Sequence, residues 1–217
     1  ELIGLDGDRS QLLMQQARDY IQQESKSPRQ RLGLSPHAPY TIHPELLHQV
    51  CQQSAEKGTA LAMHVAESRE ELELLQLQTG PLVEFLRSLN AWHPAAIPWG
   101  STPFDYLKEL AQASRALVIH GNYLNRDEIA FMAAHRDRLS LVYCPRTHAY
   151  FGHEAYPLAK MLKAGVRVAM GTDSLASNPD LRLFEELRHI ARHHPSVEPA
   201  EVLRMGTLAG AEALELA

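Results

Sequence analysis

Five short apolar runs of strand character punctuate the chain: RLGLS (31–35), ALAMHV (60–65), ALVIHG (116–121), LSLVYC (139–144) and VRVAMG (166–171). Between them the apolar residues recur at helical spacing. Asp8, with Gln11 three residues on, reads as the N-cap of a helix over QLLMQQARDYI, whose Leu13, Ala17, Tyr20 and Ile21 share a face. Pro44 opens a second helix with Leu46, Leu47, Val50 and Cys51 as its stripe, and Gly58 suits the left-handed position that ends it. Asn178 and Pro179 form a cap and first-turn pair before a helix carrying Phe184, Leu187, Ile190 and Ala191. Strand and helix alternate at roughly 25-residue intervals, the spacing of βαβ units around a parallel sheet.

The interval doubles over residues 68–115, which hold the Pro-, Gly- and Trp-rich stretch NAWHPAAIPWGSTPF. We read this segment as a helix, an irregular loop and a second helix around PFDYLKELAQA. A substrate lid and a plain insertion both fit it. The opening ELIG reads as the end of one further strand.

All five strand runs finish in a polar cluster on their C-terminal side: SPHAPYT, HVAES, HGN, CPRTH and GTDS. In a parallel barrel every strand C-terminus opens onto one rim, where barrel active sites are built. His37, His64, Glu67, His120, His148 and Asp173 are therefore expected to converge there. Imidazole and carboxylate are the donors a borderline divalent ion such as zinc prefers, and a catalytic site uses three or four protein ligands with a position left for water. His64, His120 and Asp173 are the candidate ligands. His43, His48, His93, His135, His189, His193 and His194 fall in loops or on polar helix faces and are not counted.

Composition narrows the class. The 217 residues, 45% hydrophobic with a formal charge of -5, suffice for one sizeable core and suggest a single domain over 1–217. No Lys/Arg run interleaved with aromatics appears, so a nucleic-acid partner is not expected. No stretch nears the ~20 apolar residues of a membrane span and no leader is visible, so a soluble, cytoplasmic protein is the expectation. Cys51 and Cys144 read as core thiols in a reducing compartment.

Taken in order, HVAE, HGN, CPRTH and GTDS, each closing an apolar strand, resemble the fifth to eighth strands of the amidohydrolase superfamily, in its cytosine deaminase and chlorohydrolase-like branch. The likeness extends from SPHAPY to the terminal MGTLAGAEALEL. It implies an α/β fold, a (β/α)8 TIM-type barrel present here in part, from about strand 3 to strand 8. It also implies that His64 and Asp173 ligate a metal, Glu67 shuttles protons, and His120 holds the attacking water or the substrate. His37, Arg146 and His148 would contact substrate, and an ordinary salt bridge is the alternative for Arg146. Tyr150, Phe151 and His153 would lie near the rim, as a stacking surface for a ring or as packing.

The superfamily's first-strand H-x-H pair is absent, since no such triplet occurs in the chain, and many relatives carry Asn where His148 stands. A longer enzyme is therefore expected, with strands one and two and the remaining ligands outside this segment. No lysine stands at the end of RLGLSPHAPY to bridge two metals, so one divalent ion is expected, zinc before iron or manganese. The implied activity is metal-dependent hydrolysis of a non-peptide carbon–nitrogen bond, foremost the deamination of an aminated heterocycle, a small-molecule substrate. A cyclic amidase or chlorohydrolase on the same scaffold, and an inactive barrel module used for binding, are the alternatives. A homo-oligomer is left open.

Overall fold

The computed structural model describes residues 1–22 and 30–216, which divide into two units between Ala116 and Leu117. In the first unit, α1 (Gly7–Ile21) is capped by Asp6, whose Oδ1 accepts from the Arg9 amide at 2.9 Å. The cap thus lies two residues ahead of Asp8, which sits in the first turn and faces the positive end of the helix dipole instead. The short strand β1 (Gly33–Leu34) pairs in parallel with β2 (Ala60–Val65). Parallel bridges Leu2–Pro36 and Gly4–Ile42 set the ELIG stub beside the segment following β1, as a strand end should lie. Between β1 and β2, α2 (Pro44–Lys57) starts at its proline and ends at Gly58 with φ 68°. Its Leu46, Leu47, Val50 and Cys51 are buried as the stripe requires.

Residues 68–115 hold two helices, not one, before the irregular stretch: α3 (Arg69–Leu77) and α4 (Pro81–Ser88), followed by α5 (Pro103–Leu110). The break falls where Gln78 and Gly80 take positive φ, 55° and 96°. Gln78 also pins the following loop, its amide donating to the Pro94 and Ile97 carbonyls at 3.1 and 2.7 Å. These bonds hold the loop to the end of α3. The strand β3 (Arg115–His120) begins in this unit and ends in the next.

The second unit continues with α6 (Arg126–Ala134), β4 (Leu139–Tyr143), α7 (Pro145–Tyr150), α8 (Leu158–Ala164) and β5 (Val168–Met170). It closes with α9 (Leu183–His193), α10 (Pro199–Met205) and α11 (Leu208–Ala213). Here β4 and β5 pair in parallel, with Leu141, Val142 and Tyr143 opposite Val168, Ala169 and Met170. The alternation of strand and helix, and the apolar strands buried on both faces, are those of parallel α/β architecture. The helix expected after Asn178 and Pro179 starts only at Leu183, because the Asn178 side chain is committed elsewhere, as described below. Both cysteines are buried and free, and burial pushes the Cys51 thiol up to about 12. Among the described residues no helix is long and apolar enough to cross a membrane.

Candidate active site

The polar strand ends are built by local backbone geometry that few residues adopt. In the first unit β2 delivers His64, whose backbone amide and ring Nδ1 both reach the His37 carbonyl at 2.9 Å. A carbonyl can only accept, so Nδ1 carries the proton. The lone pair of the ring then lies on Nε2, the tautomer a metal-ligating histidine needs, fixed by a hydrogen bond to its other nitrogen.

His37 itself is held by Thr41, Nδ1 to Oγ1 at 2.7 Å, and its ring lies 5.2 Å from that of His64. Burial, then the His64 ring, lower its pKa, while Glu1 opposes them. Glu1, His37 and His64 can bring one donor atom each within 4.8 Å of one another. Glu1 was not anticipated, because a single acid in the ELIG stub carries no pattern of its own.

Immediately after β2 the chain turns through Ala66 at φ 53°, a conformation that costs an L-residue about 1 kcal/mol. The turn is secured by Glu71 of α3, fully buried, whose Oε1 accepts from the Ala66 amide and Oε2 from the Glu67 amide, each at 2.8 Å. Burial pushes the Glu71 carboxyl upward, and the Glu67 and Ala66 amides that it accepts from act against that rise. Glu67 thus stands on a backbone clamped by a second acid that sequence reasoning passed over. Ser68 and Glu71 form an S-x-x-E pair, which marks a helix start but not this hold on the turn before it.

In the second unit β3 ends at His120, 1% exposed and at φ 70°. Gly121 follows at φ 59°, with no room for a side chain, since a Cβ there would stand 2.5 Å from Leu141 Cδ1. The buried Tyr156 hydroxyl donates to the His120 carbonyl at 2.8 Å, and its ring stacks on Tyr143 with centroids 3.7 Å apart. Past β5, Asp173 also takes positive φ, 58°. Its Oδ2 lies 4.0 Å from His120 Nε2, so the two expected residues meet although 53 positions separate them.

The Asp173 carboxylate is oriented from both sides: Oδ1 accepts from the Ser174 amide at 2.7 Å and Oδ2 from the Ser177 hydroxyl at 3.1 Å. Behind it, Thr147 of α7 meets Ser177 at 3.1 Å. The Asn178 amide donates to the Thr172 carbonyl and to Glu186 of α9 at 2.6 and 2.7 Å. Glu186 in turn accepts from the Arg146 backbone amide at 3.0 Å. The Arg146 guanidinium is engaged by Asp180 at 2.8 Å and Glu186 at 3.6 Å. The salt bridge weighed as the alternative for Arg146 is therefore present, and it braces the turn that carries Asp173.

His148 is 8% exposed, edge-on to Tyr143 and Tyr156, and its Nε2 is buried with no hydrogen-bond partner. Burial first, then His153, lower its pKa to about 4, so the ring is neutral at physiological pH. His153 engages the Tyr123 hydroxyl at 3.0 Å. Tyr150 and Phe151 are 66% and 53% exposed, so neither packs in the core.

Each unit by itself offers donor chemistry that a zinc-type ion accepts: in the first, a histidine locked with Nε2 as its donor, and in the second, a carboxylate held open by two hydrogen bonds beside a buried imidazole. Asp173 and His120 lie in one unit and His64 in the other, each prepared locally.

The model of the amidohydrolase family matches residues 5–217. An aminodeoxyfutalosine deaminase of Deinococcus radiodurans is 33% identical over 190 residues, 84% of this chain and 45% of that protein. A 5-methylthioadenosine/S-adenosylhomocysteine deaminase of Thermococcus sibiricus is 33% identical over 198 residues, 88% of this chain and 42% of that protein. The chain thus spans less than half the length of these curated relatives. Among solved structures, the aminofutalosine deaminase of Helicobacter pylori superposes with a TM-score of 0.82 at 22% identity, over 99% of this chain and 54% of that one. An adenosine deaminase from Xanthomonas campestris with bound zinc gives 0.64 at 25% identity, over 96% of this chain and 43% of that one. These likenesses bear out the fold class, α/β and part of a barrel.

Proposed function

The chain belongs to the amidohydrolase family, and from that membership we propose that it forms the greater part of the catalytic barrel of a metal-dependent aminohydrolase, one that deaminates an aminated heterocycle, foremost the 6-aminopurine ring of a nucleoside derivative. The observation that carries the reading is the approach of His120 Nε2 to Asp173 Oδ2, 4.0 Å, with both residues in left-handed backbone at strand ends. The deaminase names of the relatives at 33% identity supply the substrate class. In this reading His64 Nε2 and the Asp173 carboxylate are the zinc ligands that the family's pattern assigns to this chain.

When bound, such an ion supplies Lewis acidity, bringing the pKa of a water from 15.7 toward ~7. Asp173, whose two oxygens are oriented by Ser174 and Ser177, accepts the proton released by the attacking water. His120, buried and fixed through its own carbonyl by Tyr156, places the nucleophile. Glu67 donates a proton to the ring nitrogen and takes one back from the hydroxyl of the tetrahedral carbon, while the proton held on Asp173 passes to the departing amine, which leaves as ammonia. His37 and His148 contact the substrate. The neutral His148 ring, with an acceptor at Nε2, suits a hydroxyl or N–H group rather than an anion. The Arg146 charge is already matched by Asp180 and Glu186, which leaves it the role of a brace.

The test is product analysis with the zinc-loaded enzyme on a panel of 6-aminopurine nucleosides, cyclic amides and chlorotriazines. Ammonia from an aminopurine nucleoside, abolished by chelation and restored by zinc, is the expected result. Ring-opened or dechlorinated products without ammonia, or no turnover of any panel member after metal loading, would contradict it.

A further inference from the structure

The buried Glu71 does something an ordinary helix cap does not. In a capping box the acid at the third helical position bonds back to the amide of the capping residue, here Ser68. Ser68 keeps its half of that arrangement, its hydroxyl accepting from the Glu71 amide at 3.1 Å. The Glu71 carboxylate instead reaches one and two residues further back and takes Ala66 N–H on one oxygen and Glu67 N–H on the other. Both oxygens are thereby used on the residue whose φ is 53° and on the residue next to it. Tyr40, Tyr106 and Glu67 are among the titratable groups that Glu71 acts on electrostatically.

We propose that Glu71 is a positioning residue for the proton shuttle: its two-pronged hold on the Ala66 and Glu67 amides sets the direction in which the Glu67 side chain leaves the backbone. The inference rests on the shuttle role of Glu67 given above. A carboxylate is the only side chain of this length with two acceptors at that separation. A glutamine offers one acceptor and one amino group, and the latter opposes an N–H. An aspartate is one methylene too short to span both amides from the same helix position.

The experiment is a double-mutant cycle in the zinc-loaded holoenzyme, with kcat and KM measured for parent, Glu71→Gln, Glu67→Gln and the double variant. Misplacement of a reacting group by ~1 Å costs up to about 100-fold. Glu71→Gln is therefore expected to lower kcat by about 10- to 100-fold with KM within about two-fold, and to lower it by less than about two-fold once Glu67 is already glutamine. Equal losses in both backgrounds, or none in the parent, would overturn the positioning role. An unchanged kcat for Glu67→Gln would overturn the shuttle reading itself, a distinct outcome. Should the glutamine variant not fold, Glu71→Asp keeps the carboxyl group but not its reach, and carries the same expectation.

Discussion

Arg146 decides between a substrate contact and a brace, and the structure allows the size of its contribution to be worked out. Replacing it by Met leaves Glu186, fully buried, with the Asn178 amide and the residue-146 backbone amide as its donors, and removes the guanidinium that matches its charge. Breaking a buried pair from one side costs about 3–5 kcal/mol. The Asp180 end is 36% exposed and screened by solvent, and two donors to Glu186 survive, so the lower figure, about 3 kcal/mol, is the expectation. For a chain of this size that corresponds to a fall in Tm of about 6–12 °C.

The pH dependence has a definite sign. Burial raises the Glu186 carboxyl above its ordinary value, with the Asn178 amide and Arg146 acting against it. Losing the arginine raises it further. A carboxyl with a raised folded pKa stabilises the fold below its unfolded pKa and loses that contribution as pH rises through the folded value. The deficit of Arg146→Met relative to the parent is therefore larger at pH 7.5 than at pH 5. Scanning calorimetry at the two pH values measures it. A Tm within about 2 °C of the parent, together with a raised KM for anionic substrates, would refute the brace and restore Arg146 as a substrate contact.

Three further outcomes follow from the same geometry. Tyr156→Phe removes the hydroxyl that the His120 carbonyl accepts, and should cost about 1–2 kcal/mol of stability and lower kcat more than it changes KM, as unfolding and steady-state kinetics will show. Gly121→Ala places a Cβ 2.5 Å from Leu141 Cδ1 at a positive φ, and should destabilise by about 2 kcal/mol or more, read as a loss of soluble protein or a lower Tm. His148→Asn should flatten the acid limb of the stability profile: a ring lowered to about 4 withholds a proton that the unfolded chain takes up near pH 6.5, so the parent loses stability from pH 6.5 down to 4, at up to about 1.4 kcal/mol per pH unit from this group. Denaturant titrations between pH 4 and 7 compare the slopes.

The strands and the polar residues that end them were legible because apolar runs and their terminators are local signals. His120, Asp173 and the ELIG pairing stand where that pattern placed them. What escaped was set by side chains reaching across turns. Asn178 looked like a helix cap, yet its amide is consumed by Thr172 and Glu186, which defers the helix to Leu183. The cap of α1 falls on Asp6 and not on Asp8 because two acids two residues apart compete for one helix start. The split of 68–88 into two helices depends on Gln78 adopting a left-handed backbone, which a glutamine does not advertise. Glu71 went unnoticed as a clamp because nothing in a sequence distinguishes an acid that bonds its own cap from one that bonds the turn before it.

The account turns on Asp173 as the carboxylate that takes up the proton of the attacking water and helps hold the ion. Its most direct test is Asp173→Asn in the full zinc-loaded enzyme, with ammonia release and bound zinc measured side by side. A fall in kcat of at least about 1,000-fold with the fold intact is the predicted result. A variant that releases ammonia at the parent rate would contradict the claim.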